Sequence, residues 1–248
     1  MNHFLITGGS GFIGSNLAAR LETVGKIVLC DHPITEEKAR NLEKRKPFQF
    51  IDQSELFSWL ETSAPQFDHV FHLGASSSTT VTDVEYLTRN NTEPAKLIWR
   101  YCTKHQIGLT YASSAATYGD GSIGFDDDPN LLPRLRPLNP YAQSKHDFDC
   151  WAMDQAAKAS APPRWFAMKF FNVFGPNEFH KGWQSSVFPN LVRQIRETGE
   201  AQLFASPRAD IGNGEQLRDF IHVDDCIDHM LHLRANGAPS GIYNSATG

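Results

Sequence analysis

The chain has 248 residues, with 23 lysines and arginines against 28 aspartates and glutamates and a formal net charge of −5. That mild acidity, with no strongly basic stretch, disfavours nucleic acid as a partner, and the lack of an apolar run of membrane-spanning length excludes a transmembrane role. Cys30, Cys102, Cys150 and Cys226 are far apart with no C-x-x-C, and the chain starts directly on an apolar run with no secretory segment, so a reducing cytoplasm is expected.

The first apolar run, Phe4–Thr7, leads into Gly8, Gly11 and Gly14 and then into a helical pattern from about Phe12 to Val24. Glycines placed there suit a tight turn, close backbone approach to a pyrophosphate and helix-to-strand packing, with the anion on free N–H groups at the helix N-terminus. Taken alone, the pattern fits a plain strand-to-helix turn equally well. A second apolar run, Ile27–Asp31, ends in a carboxylate about 20 residues past the glycines, where dinucleotide sites carry an acid on the ribose hydroxyls. The alternative for Asp31 is a solvated strand end or a helix cap.

Further apolar runs follow at Phe48–Ile51, His69–Leu73, Leu109–Ser113 and Trp165–Phe171, mostly separated by helical patterns or long polar segments. One helix is expected over Asp83–Gln106, with Val84, Leu87, Leu97, Ile98 and Tyr101 as its apolar residues and a kink or break at Pro94. Another is expected over Pro140–Ala159, and beyond Asn172 the pattern loosens into loops around helices at Ser185–Thr198 and Asp224–Arg234. This alternation predicts an α/β fold, a doubly wound parallel sheet of the Rossmann type. Residues 1–171 are expected to form the dinucleotide-binding domain and residues 172–248 a smaller substrate lobe that shares some elements with it and stops short. The histidines lack metal-ligand spacing, so no metal is expected, and most of them read as surface or supporting groups.

Tyr141 and Lys145 are four apart near the start of the Pro140 helix and so share one face. A phenol with a pKa of about 10 is a poor base, but an adjacent ammonium and a cationic nicotinamide both favour phenolate, which would make Tyr141 a usable acid/base. Ser113 and Ser114 end a strand from which a hydroxyl could reach the same reacting oxygen. By itself the Y-x-x-x-K spacing fits two ordinary residues of a surface helix.

Four segments together resemble the extended short-chain dehydrogenase/reductase family of nucleotide-sugar enzymes: Thr7–Gly14, Tyr111–Gly119, Tyr141-Ala142-Gln143-Ser144-Lys145 and Arg218-Asp219-Phe220. Within it, Phe71–Thr80, Asn90-Asn91 and Phe171–Gly182 look most like the ADP-heptose epimerase branch, and less like the UDP-sugar 4-epimerases. The resemblance implies Tyr141 and Lys181 as an acid/base pair, Ser114 assisting, and Lys145 holding the cofactor ribose. It implies cofactor contacts from Gly8, Gly11, Phe12, Ile13, Gly14, Asp31, His32, Lys38, Leu73, Gly74, Ala75, Ser76, Ser77, Asn90 and Val173, besides Tyr141 and Lys145. It further implies that Ser114, Asn172, Lys181, Trp183, Asn190, Phe204 and Arg218 line the ADP-sugar.

NADP is the implied cofactor, with NAD possible, and the expected assembly is a homo-oligomer. The implied activity is inversion at C6 of an ADP-linked heptose by transient oxidation, in the supply of lipopolysaccharide core sugars. Three features depart from the pattern: Trp183 and Gln184 stand where small residues are usual, Gln53 stands where a lysine for a 2′-phosphate would be expected, and the chain stops at Gly248 in the family's closing region. Ala115-Ala116 replaces the Asp-Glu that a 4,6-dehydratase places after the strand-end hydroxyl, which disfavours dehydration. A UDP-sugar 4-epimerase and a non-catalytic cofactor sensor on the same fold are the rival readings. On the residues alone, Lys181 reads more readily as a phosphate or surface lysine than as a base.

Overall fold

The computed structural model describes residues 2–45, 49–63, 65–203, 205–206, 209 and 211–248. Seven parallel strands form the central sheet in the order β3-β2-β1-β4-β5-β6-β9: β1 (Asn2–Thr7), β2 (Gly25–Asp31), β3 (Gln49–Asp52), β4 (His69–His72), β5 (Gly108–Ser114), β6 (Trp165–Phe170) and β9 (Gly241–Ser245). A two-stranded parallel ribbon, β7 (Asn172–Phe174) with β8 (Phe220–His222), stands apart. The helices are α1 (Phe12–Leu21), α2 (Glu36–Ala39), α3 (Leu56–Ser63), α4 (Val84–Leu87), α5 (Glu93–His105), α6 (Pro140–Ala157), α7 (Val187–Thr198) and α8 (Val223–Ala235).

Side chains alternate across a strand, so each strand feeds two cores. Phe4 and Ile6 of β1 join Leu29, Phe71 and Phe166 beneath α1 and α8, while Leu5 joins Val28, Val70, Leu109 and Ala167 beneath α3, α5 and α6. Burial on both faces explains why these runs read as continuous apolar segments. The chain proceeds from β1 to β2 and β3 on one side and then crosses to β4 on the other. That reversal opens a crevice at the carboxyl ends of β1 and β4, where ligands of such sheets bind.

The late elements do not all leave the sheet. β9 pairs with β6 from Phe166–Gly241 to Phe170–Ser245, and α8 contributes Cys226, Ile227 and Met230 to the core that α1 covers. The helix expected over Asp83–Gln106 is interrupted: α4 gives way to a π-turn over Thr88–Thr92, and α5 restarts with Pro94 in its first turn. Proline there has no N–H to donate, so one wide turn ahead of it absorbs the break. Of the expected apolar residues Leu87 and Ile98 are buried while Val84 and Leu97 are exposed, and Trp99 and Cys102 face inward beside Ile98.

His69 and His72 stand at the two ends of β4, and both are buried. His69 Nε2 meets Thr110 Oγ1 at 2.8 Å, and His72 Nδ1 meets Thr7 Oγ1 at 2.8 Å. Burial pushes both imidazoles down to about 3, so they are neutral.

Candidate active site

The glycine loop closes the carboxyl end of β1. Gly8 has φ of +67°, and a Cβ on it would sit 2.7 Å from the Gly74 nitrogen, so the loops after β1 and β4 touch through backbone alone. A Cβ on Gly14 would lie 2.2 Å from the Gly8 carbonyl oxygen, so α1 could not pack this close to its own loop with a larger residue. Gly11 caps α1 without a side chain, and the first-turn N–H groups of Phe12, Ile13 and Gly14 therefore have no acceptor within the helix. That arrangement suits an anion. Leu73–Ser77 forms the facing lip, with Ser76 fixed to Asn91 through N–H to Oδ1 at 2.8 Å and Nδ2 to the Ser76 carbonyl at 3.1 Å. Asn91 also donates to Ser144 Oγ on α6 at 3.0 Å, whereas Asn90 spends its amide on the Tyr86 carbonyl at 2.7 Å. Asn91, singled out in the sequence only as half of the Asn90-Asn91 pair, is the residue that joins this lip to α6.

Asp31 ends β2 beside the loop and is 5 % exposed, yet it is fully partnered. Ser10 donates from Oγ at 2.6 Å and from N–H at 3.1 Å, His32 N–H donates at 2.8 Å, and Lys38 Nζ lies 3.0 Å away. Burial would raise this carboxyl, but Ser10 and Lys38 outweigh it and hold it below the usual range. A cavity of about 60 Å³ opens between Gly8, Gly74, Gln53, Leu56, Phe57, Pro94 and Ile98. Leu56, Phe57 and Pro94 come from α3 and α5, and nothing in their local sequence marks them as cavity wall.

At the other side of the crevice, Asn139 caps α6 by accepting from Ala142 N–H at 2.8 Å, with Pro140 in the first helical turn. This places Tyr141 beside Ser114 at the end of β5, while Lys145 Nζ donates to the Ala112 carbonyl at 2.8 Å. Both side chains are half-buried. Burial raises the Tyr141 phenol, against the lowering effect of the Ser114 hydroxyl. Burial also pulls Lys145 down to about 8, with Asp149 opposing.

Lys181 reaches the crevice from a 3₁₀ segment, Phe179–Gln184, and lies 5.0 Å above the Phe12 ring. Burial holds it below the ordinary lysine value, with Glu178 opposing. The segment is tied down at both ends: Asn177 Nδ2 donates to Ser15 Oγ at 3.1 Å, and Gln184 Nε2 donates to Ser78 Oγ at 2.9 Å. Glu178, 2 % exposed, takes N–H and Oγ of Ser186 at 2.6 and 2.8 Å.

The remaining expected substrate residues are less gathered. Asn172 is exposed and donates to the Asp219 carbonyl at 2.9 Å, and Asn190 donates to the Ser186 carbonyl at 3.3 Å. Trp183 is 69 % exposed, and Arg218 donates to the neighbouring Leu217 carbonyl at 2.7 Å. Val173 sits in β7, and Phe204 lies outside the described residues.

Residues 4–246 match the model of the NAD dependent epimerase/dehydratase family. The chain belongs to this family. It is 42 % identical over 250 residues to the ADP-L-glycero-D-manno-heptose-6-epimerase of Fusobacterium nucleatum, covering 98 % of this chain and 74 % of that protein. The enzyme of the same name from Nitratidesulfovibrio vulgaris is 39 % identical, with 99 % of this chain and 76 % of that one covered. The crystal structure of the Helicobacter pylori ADP-L-glycero-D-manno-heptose-6-epimerase superposes with a TM-score of 0.80 at 28 % identity, over 99 % of this chain and 76 % of that one. The protein is thus an enzyme of the epimerase type that works with a nicotinamide dinucleotide, and the uncapped helix and bare glycine loop described above fit such a group. Among the described residues no helix is long and apolar enough to cross a membrane.

Proposed function

We propose that this chain inverts C6 of an ADP-linked glycero-manno-heptose, a lipopolysaccharide core sugar. What supports the reading is Tyr141 beside Ser114 at the end of β5, together with Lys181 held 5.0 Å over the Phe12 ring at the start of α1. A nicotinamide bound there supplies reversible hydride acceptance, which allows inversion with no net consumption. Tyr141 takes the proton of the sugar hydroxyl, Ser114 orients the oxygen, and Lys145 steadies the ribose beside it. Lys181, lowered by burial, can exchange a proton from the opposite side, as an inversion with two bases requires.

Residues 172–248 serve as the substrate lobe in this reading, minus β9 and α8, which complete the sheet domain. NADP is the preferred cofactor, because Lys38 on Asp31 offsets the charge that would repel a 2′-phosphate. Calorimetric titration tests that preference: NAD binding tenfold tighter than NADP, about 1.4 kcal/mol, would overturn it. The activity itself is tested by incubating the protein with ADP-heptose, UDP-galactose and UDP-glucose in turn and reading the products by NMR. The C6 epimer should form from ADP-heptose alone. Interconversion of the UDP-sugars with ADP-heptose left unchanged would make it a 4-epimerase, and binding without turnover a sensor.

A further inference from the structure

Further along the side of α6 that carries Tyr141 and Lys145 lies a buried ion pair for which the reaction above has no use. Asp149 is fully buried and Lys169, on β6, is 1 % exposed; Lys169 Nζ lies 3.0 Å from Asp149 Oδ2. α6 carries three aspartates, and Asp147 and Asp154 are both exposed, so Asp149 is the one turned to the sheet. A charge pair in such a place pays heavily in lost hydration and is weak evidence of stability by itself.

What the pair touches gives it a different meaning. Asp149 Oδ2 also accepts from Ser113 Oγ at 2.6 Å, and Oδ1 accepts from Tyr111 Oη at 3.1 Å, so α6 is bolted to two residues of β5. Lys169 Nζ donates to Thr117 Oγ1 at 2.6 Å, and Thr117 in turn donates to the Ser114 carbonyl at 2.8 Å. Ser114 Oγ accepts from Ala116 N–H at 3.2 Å within the same turn. Asp149 therefore holds the Ser113 side chain immediately before Ser114, and Lys169 holds the Ser114 carbonyl through Thr117. Asp149 is one helical turn beyond Lys145 and two beyond Tyr141.

We propose that Asp149, paired with Lys169, is a positioning residue that fixes α6 against the end of β5 and thereby sets the contact between Tyr141 and Ser114. This rests on the epimerase reading only for its effect on turnover. The negative charge also opposes the lowering of Lys145 by burial, in keeping with the same role.

Asp149→Ala would leave the buried Lys169 without its counter-charge and could simply unfold the protein, so the decisive variant removes both charges: Asp149→Leu with Lys169→Met. Its probe is the ¹⁹F resonance of Tyr141 in protein labelled with fluorotyrosine, assigned with Tyr141→Phe and referenced to Ser114→Ala, in which the contact is absent. The paired variant should fold, and its Tyr141 resonance should move toward the Ser114→Ala position. With ADP-heptose, kcat should fall at least tenfold while KM and the cofactor Kd stay within threefold. A Tyr141 resonance unmoved from wild type overturns the proposal, and so does a moved resonance with kcat within twofold. Wild-type protein inert toward every nucleotide sugar would instead sink the activity assigned above, and the resonance would still decide this inference.

Discussion

In the proposed reaction Tyr141 and Lys181 both transfer protons, and single substitutions separate their roles. Tyr141→Phe removes a hydroxyl and little volume, so cofactor affinity should hold while turnover falls by about 10²–10⁴-fold, the usual worth of a general acid/base. Retention of more than a third of the wild-type rate would exclude Tyr141 as that group. For Lys181 the two constants of a steady-state assay discriminate. Loss of a ground-state phosphate contact chiefly raises KM, whereas loss of a base chiefly lowers kcat. Arginine keeps the cation and cannot give up its proton. Lys181→Arg and Lys181→Met should both lose most of kcat with KM held within a few-fold. The lowered Lys181 over Phe12 favours that outcome, and near-normal turnover in the arginine variant would refute it.

At the scale of elements, the π-turn between α4 and α5 turns Asn91 inward to hold both the Leu73–Ser77 lip and α6. Asn91→Ala strands the Ser76 N–H and carbonyl, so it should cost about 1–3 kcal/mol in urea unfolding and weaken cofactor binding as the lip loosens. An unchanged midpoint with unchanged cofactor affinity would show the clamp to be idle. Asn91 also marks how far the sequence could be read. The glycine loop, Asp31 and the Tyr141–Lys145 pair were legible because each depends on a local spacing, a strand, a turn or one helix face. Pro94 announced a break in the helix but not that a π-turn would take it up, nor that Asn91 rather than Asn90 would face α6. Phe57 in the cavity wall and the Asp149–Lys169 pair were invisible for a deeper reason. Their partners lie on other elements, 20 residues away in sequence for Asp149 and Lys169, and no periodic pattern encodes such a meeting. His69 and His72 were legible only as the ends of an apolar run, because the hydroxyls that satisfy them, on Thr110 and Thr7, come from neighbouring strands.

Those two histidines give the whole molecule a pH dependence of known sign. Both are neutral in the fold at about 3, against an ordinary value of 6.5, so the unfolded chain takes up protons first as pH falls. Stability therefore drops as pH falls from 6.5 toward 3, and above 6.5 the two groups contribute no pH dependence. His146 and His180 are lowered too, by burial, and act in the same direction. Asp31, depressed below 3.8, loses its contribution only at more acid pH, and Lys145, lowered to about 8, acts on the alkaline side. Near pH 5 the two β4 histidines alone should give a slope of about 2.7 kcal/mol per pH unit. Urea unfolding at pH 7, 6 and 5 would measure it. His69→Gln keeps a side chain able to hydrogen-bond Thr110 but cannot titrate, so its slope should be lower than that of the wild type by about 1.4 kcal/mol per pH unit. Unfolding free energies that stay level between pH 6.5 and 5 would mean that β4 opens to water without unfolding the sheet.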